Sequence, residues 1–163
     1  MPEKIKVALV GLGNCFSGLI QGIEFYSKNP SQKVTGIIHE NLRDYTIHDI
    51  EFVAGFDVGA NKVGKPINDA IYELPNMVNW IDKNDMPKSN GNVYESPALD
   101  GVGIWVENKV KPIESGKSES ELREEIIKIL KETGVEIIVS YLPVGSEKAT
   151  QFWAQVCLDT NTA

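Results

Sequence analysis

Cysteine and histidine are scarce, with two of each in 163 residues. Cys15, Cys157, His39 and His48 are too few for a zinc-finger framework, and no cluster of metal ligands is visible. Nor do two cysteines make a disulfide scaffold, so the thiols read as reduced. Basic residues are outnumbered, 16 against 23 acidic, for a net charge of −7. That balance repels phosphate backbones and anionic lipid, which argues against nucleic acid or membrane as the main partner. No run of about eighteen apolar residues and no secretory leader is present, and the chain reads as cytoplasmic. At 42% apolar content the chain can bury one core, but its length is short for a complete two-domain enzyme. A small-molecule ligand fits this composition best.

What the chain does have is alternation of strand and helix signals. Ile5 to Val10 is an apolar, β-branched run of the kind buried on both faces of a sheet. Phe16, Leu19, Ile20 and Ile23 then recur at helical spacing, in a helix ending near Asn29-Pro30. Phe52 to Val58 ("FVAGFDV") reads as a second strand, separated from the helix by an irregular insertion at about 29–49. A short helix is predicted from Pro66 to Tyr72. Residues 75–117 hold four of the eight prolines and form a second irregular excursion, with one short strand around Gly103 to Val106. Ser118 and Glu121 match a capping box for a helix striped by Leu122, Ile126, Ile129 and Leu130, with Gly134 as its left-handed C-cap. Val135 to Ser140 is the next strand. Ser146 then caps a helix carrying Ala149, Phe152, Trp153, Val156 and Cys157. Such alternation implies right-handed crossovers and a parallel sheet, with ligands beyond the carboxyl ends of the strands.

The glycine turn "GLGNCF", Gly11 to Phe16, lies at such an end. A dinucleotide-binding turn has the pattern G-x-G-x-x-G, in which the second glycine lets the backbone approach a pyrophosphate at a helix N-terminus. Gly11 and Gly13 match, whereas Phe16 stands where the third glycine belongs, so on pattern alone a plain strand-to-helix bend competes evenly with a nucleotide site. Asp57, ending the second strand, is placed to accept both adenosine ribose hydroxyls and to repel a 2′-phosphate, which favours NAD over NADP; the competing role is a turn or capping aspartate. "GANKVGKP", Gly59 to Pro66, has phosphate-loop spacing, but Pro66 stands where that loop needs a hydroxyl for Mg²⁺, and the match is read as a coincidental turn.

Four segments, "VGLGNCFSGLIQGIEFY", "FVAGFDVGANKVGKPINDAI", "LDGVG" and "VSYLPVGSEKATQFWAQ", resemble the myo-inositol-1-phosphate synthases, in their shorter archaeal and actinobacterial form. They stand in the family's order and cover nearly the whole chain. The resemblance implies a Rossmann-like, doubly wound α/β sheet, incomplete at its C-terminus, and tightly held NAD as cofactor. It implies conversion of D-glucose 6-phosphate to 1L-myo-inositol 1-phosphate by oxidation, aldol cyclisation and reduction, for inositol and phospholipid biosynthesis. Carried over, it sets the pyrophosphate against Gly11, Gly13, Asn14 and Cys15, the adenosine ribose near Asp57, and Ser140, Tyr141, Leu142 and Pro143 along the cofactor. His39 and His48 are read as surface or capping residues.

Members of that family are much longer, and their catalytic lysines and tetramer-forming sheet lie beyond the point corresponding to Ala163. The chain is therefore expected to be the N-terminal NAD-binding part, spanning 1–163, of a homotetrameric synthase, inactive by itself, with the catalytic residues unknown and expected beyond Ala163. A fragment of another NAD-dependent oxidoreductase and a non-catalytic nucleotide-sensing module are the alternatives.

Overall fold

The computed structural model describes residues 3–29, 36–104 and 106–163. Its centre is a four-stranded parallel sheet of β1 (Ile5–Val10), β2 (Ile50–Asp57), β3 (Asn92–Glu95) and β4 (Ile137–Ser140), in the order β3-β2-β1-β4. Helices α1 (Asn14–Lys28), α2 (Ile67–Ala70), α3 (Glu119–Thr133) and α4 (Glu147–Thr160) connect and cover it.

The period-two alternation of β1 divides the core in two. Val7 and Leu9 face Phe16 and Ile20 of α1 and Ile67 and Ala70 of α2. Ala8 and Val10 face Ile126 and Leu130 of α3 and Phe152, Trp153 and Val156 of α4. The sheet is therefore buried on both faces, which is why β1 is apolar at almost every position, and the architecture is the expected Rossmann-like α/β. In β2 the pairing register skips Val53 between Val7↔Phe52 and Ala8↔Ala54. That bulge sends Phe52 to one core and Ala54 and Phe56 to the other, although a regular strand would set residues 52 and 54 on one face.

The helices keep their sequence signals with some corrections. At α3, Ser118 and Glu121 form the capping box, with Ser118 Oγ accepting from the Glu121 N–H, and Gly134 closes the helix at φ 68°. On α1 the buried residues are Phe16, Ser17, Ile20 and Gln21. Leu19 is instead among the exposed large hydrophobics. The polar pair is buried because it has partners: Gln21 Nε2 donates to the Val78 carbonyl and Gln21 Oε1 accepts from the Trp80 and Ile81 N–H groups, while Ser17 Oγ donates to the Ile71 carbonyl. They hold the chain after α2 against α1, a role no periodicity encodes. The helix expected over 66–72 is a single turn, Ile67–Ala70.

The short strand expected around Gly103 to Val106 is not formed. Trp105 lies outside the described residues, and the Val106 and Glu107 N–H groups turn back to the Gly103 carbonyl. The third strand is Asn92–Glu95, inside the excursion read as irregular, where Gly55 and Val93 pair in register. In the 29–49 insertion, residues 30–35 lie outside the described residues, and the described remainder holds one isolated bridge, Leu42↔Tyr45, and a 3₁₀ turn at Ile47–Asp49. On the outer edge of β4, Ala163 donates its N–H to the Glu136 carbonyl at 3.0 Å and accepts from the Ile138 N–H at 2.7 Å. This is the bonding pattern of a parallel neighbour to Ile137.

Candidate cofactor-binding site

β1 pairs with β2 on one side and β4 on the other, so the chain switches direction across the sheet between β1 and β4. The glycine turn sits at that switch point, where open α/β sheets leave a crevice for a ligand. The two segments expected to hold the cofactor meet there. The Tyr141 N–H donates to the Val10 carbonyl at 3.0 Å, and the Tyr141 ring stacks on Phe16 with centroids 4.3 Å apart. Phe16, in place of the third glycine, is fully buried and ties α1 to the loop after β4. The departure from the glycine pattern thus has a packing reason.

Gly11 and Gly13 have different physical reasons. Gly11 has φ +82°, where a side chain is strained, and a Cβ there would lie 3.3 Å from the Tyr141 carbonyl oxygen. Gly13 has φ −83° and ψ −165°, ordinary for any residue, and a Cβ there would meet nothing within 4 Å. The fold does not require glycine at 13. What glycine leaves at that position is open space at the N-terminus of a 15-residue helix.

That helix end is open, whereas those of α3 and α4 are closed. α1 begins at a glycine with no side-chain cap and no acidic residue in its first turn. Asn14 and Cys15 present N–H groups for which no acceptor is found among the described residues. The Asn14 side-chain oxygen is engaged by the chain after α2, accepting from the Met77 N–H at 2.8 Å. Cys15 is exposed and carries no disulfide. At α4, Ser146 makes no side-chain cap. Instead the Asp100 carboxylate accepts from the Lys148 and Ala149 N–H groups at 3.1 and 2.8 Å. Asp100 comes from the "LDGVG" segment, 48 residues earlier than Lys148, and no local spacing could have flagged it. Asp100→Ala should cost about 0.5 to 2 kcal/mol, the usual loss for a removed N-cap acceptor. The check is the thermal unfolding midpoint, which should fall.

Asp57 is buried, 8% exposed, at the end of β2. Its Oδ2 accepts from the Leu12 N–H at 2.9 Å and its Oδ1 from the Gly59 N–H at 2.8 Å. Lys62 Nζ lies 3.6 Å from Oδ2. The turn role set against the ribose role is therefore filled in this structure. With Oδ2 shared between the Leu12 N–H and Lys62, Oδ1 retains the second lone pair that a ribose hydroxyl would need. Ser140 and Tyr141 are exposed at the end of β4, with Leu142 half-buried and its Cδ2 3.5 Å from the position a Gly11 Cβ would take. Pro143 is exposed and carries the chain on toward α4, accepting from the Ser146 N–H.

The phosphate-loop reading of "GANKVGKP" is excluded by geometry. Gly59 donates to Asp57, Lys65 pairs with Glu73 at 2.6 Å, and Pro66 opens a helix of one turn. His48 contacts Ser27 Oγ through Nδ1 at 3.0 Å and, like His39, is exposed. Among the described residues no group of His, Cys, Asp and Glu could hold a metal, and no helix is long and apolar enough to cross a membrane. Burial raises the Cys157 thiol above its ordinary range, so it stays protonated at neutral pH.

No protein-family model matches the chain. Curated relatives do. Over 161 residues the chain is 39% identical to proteins named inositol-3-phosphate synthase from Mycolicibacterium smegmatis and Mycobacterium tuberculosis, covering 98% of this chain and 42% of theirs. The protein of that name from Corynebacterium glutamicum is 40% identical with the same coverage. Among solved structures, that of Ari2 matches with a TM-score of 0.78 at 27% identity, over 99% of this chain and 45% of Ari2. A myo-inositol-1-phosphate synthase-related protein from Thermotoga maritima shares the fold, with a TM-score of 0.66 at 20% identity, over 99% and 41%. Nearly the whole of this chain is thus homologous to inositol-3-phosphate synthases, and it spans 42% of their length.

Proposed function

We propose that the chain is the NAD-binding part of an inositol-3-phosphate synthase, a cytoplasmic homotetramer when whole, which converts D-glucose 6-phosphate to 1L-myo-inositol 1-phosphate. The observation that carries the cofactor half of this reading is the open space at Gly13 beside the uncapped start of α1. Oriented N–H groups and the positive end of the helix dipole there suit a pyrophosphate. The homology carries the reaction. NAD would supply the hydride acceptor for the oxidation and the donor for the closing reduction. This chain's part is to hold the cofactor: Gly11, Gly13, Asn14 and Cys15 at the pyrophosphate, Asp57 toward the adenosine ribose, and Ser140, Tyr141, Leu142 and Pro143 toward the nicotinamide.

Calorimetric titration tests the reading. NAD should bind more tightly than NADP, because a 2′-phosphate would approach a carboxylate. Asp57→Ala should weaken NAD by about 1 to 3 kcal/mol, since it strands the Leu12 and Gly59 N–H groups as well as the ribose. The loss alone would follow from either role of Asp57. The preference decides: equal affinity of the unsubstituted chain for both cofactors would refute the ribose assignment.

A further inference from the structure

The turn from Val10 to Gly13 has four backbone carbonyls, and every one is taken. The Val10 carbonyl accepts from the Tyr141 N–H, Gly11 from Gly13 and Gly13 from Ser17, at 2.8 to 3.0 Å. The fourth, Leu12, accepts from two side chains, Lys62 Nζ at 2.7 Å and Asn76 Nδ2 at 2.9 Å. Both side chains belong to buried residues, Lys62 5% and Asn76 7% exposed.

Burying an ammonium group is costly unless it is paired and hydrogen-bonded. Lys62 meets that condition through Asp57 at 3.6 Å and Asn76 Oδ1 at 3.3 Å. Asn76 is itself fixed by a bond to the Ile71 carbonyl at 3.0 Å. The Leu12 N–H is held from the other side by Asp57. One residue of the turn is thus gripped at both its N–H and its C=O by three side chains, 45, 50 and 64 positions away in sequence. Little here serves the sheet, since neither Lys62 nor Asn76 lies on a strand or a helix.

The arrangement matters electrostatically. A carbonyl oxygen turned outward at this point would aim partial negative charge at an anion. Drawn inward, it leaves the N–H groups of Asn14 and Cys15 as the polar groups that the turn offers. We infer that Lys62, aided by Asn76, is a positioning residue for the cofactor's pyrophosphate: it binds the Leu12 carbonyl from beneath and sets the turn in its anion-accepting form. The inference rests on the cofactor reading above. Lys62 is too buried to be a phosphate ligand itself.

The test titrates the unsubstituted chain, Lys62→Met and Asn76→Ala with NAD, NADP and inorganic pyrophosphate, after circular dichroism has established that each is folded. Lys62→Met should lower affinity for all three ligands by a common factor of about tenfold, the scale of one charge-assisted hydrogen bond. Asn76→Ala should do the same by about threefold, and it carries the test if Lys62→Met does not fold. Amide hydrogen exchange without ligand should speed up at Leu12 in both variants while the β1 amides stay protected. A loss with NAD or with both dinucleotides that leaves inorganic pyrophosphate binding unchanged would mean that Lys62 acts through Asp57 on the ribose, and would overturn the inference. So would unchanged affinities, or unchanged exchange at Leu12. An unsubstituted chain that binds none of the three ligands would instead refute the cofactor reading, and the exchange rates would still decide whether Lys62 and Asn76 hold the turn.

Discussion

Gly13→Val should abolish NAD binding while leaving the circular dichroism spectrum and the unfolding midpoint almost unchanged. The backbone at Gly13 is extended, φ −83° and ψ −165°, so a β-branched residue fits it without strain. A Cβ there meets no atom within 4 Å, so nothing in the protein needs to move. The added carbons would instead fill the space in front of the uncapped α1 terminus, where a pyrophosphate has to come within hydrogen-bonding distance of backbone N–H groups. Gly11→Val makes the contrast. Its left-handed φ of +82° and the Tyr141 oxygen 3.3 Å from its Cβ position predict loss of stability as well as of binding. Isothermal titration alongside thermal unfolding separates the two outcomes. If NAD still binds the Gly13→Val chain, the turn is only a bend between β1 and α1.

The legibility of this site in the sequence follows from how local each feature is. β1, α1, α3 with its capping box, and α4 were readable because their signals repeat every two to four residues or sit within one turn of a helix end. β3 was missed because its four residues, "NVYE", are too short to show a period, and Asn and Glu are poor strand formers. They become a strand because β2 offers an edge at Ala54 to Asp57. The glycine turn and Asp57 were visible as a pattern, while the residues that shape the turn were not. Lys62 sits in a stretch that looks like a failed phosphate loop, Asn76 follows a proline in an irregular segment, and Asp100 caps a helix 48 residues away. Contacts at such separations are set by topology, and one sequence carries no record of them.

The isolated chain should make no inositol phosphate from glucose 6-phosphate, even with NAD and divalent metal supplied. The proposed reaction needs a group to take the hydroxyl proton during oxidation, a base for enolisation, and cations to stabilise the oxyanion that develops during aldol closure. These would have to surround a sugar phosphate lying against the nicotinamide, beyond the end of β4. The residues there, Ser140 to Ser146, include no lysine or arginine. Lys148 is exposed on α4, and Lys62 is buried beneath the glycine turn with its ammonium spent on Leu12, Asp57 and Asn76. The relatives are more than twice as long as the segment matched here, so the missing groups have a place to come from. The sheet also offers an attachment point: Ala163 makes the first parallel pair on the outer edge of β4, and an unpaired strand edge readily takes a further strand. Mixing the chain with, or fusing it to, the downstream half of a related synthase should therefore restore product, measured as inositol phosphate resolved chromatographically from glucose 6-phosphate. Product from the 163-residue chain alone would place a complete active site within it and overturn the assignment of this chain as the cofactor-binding part only.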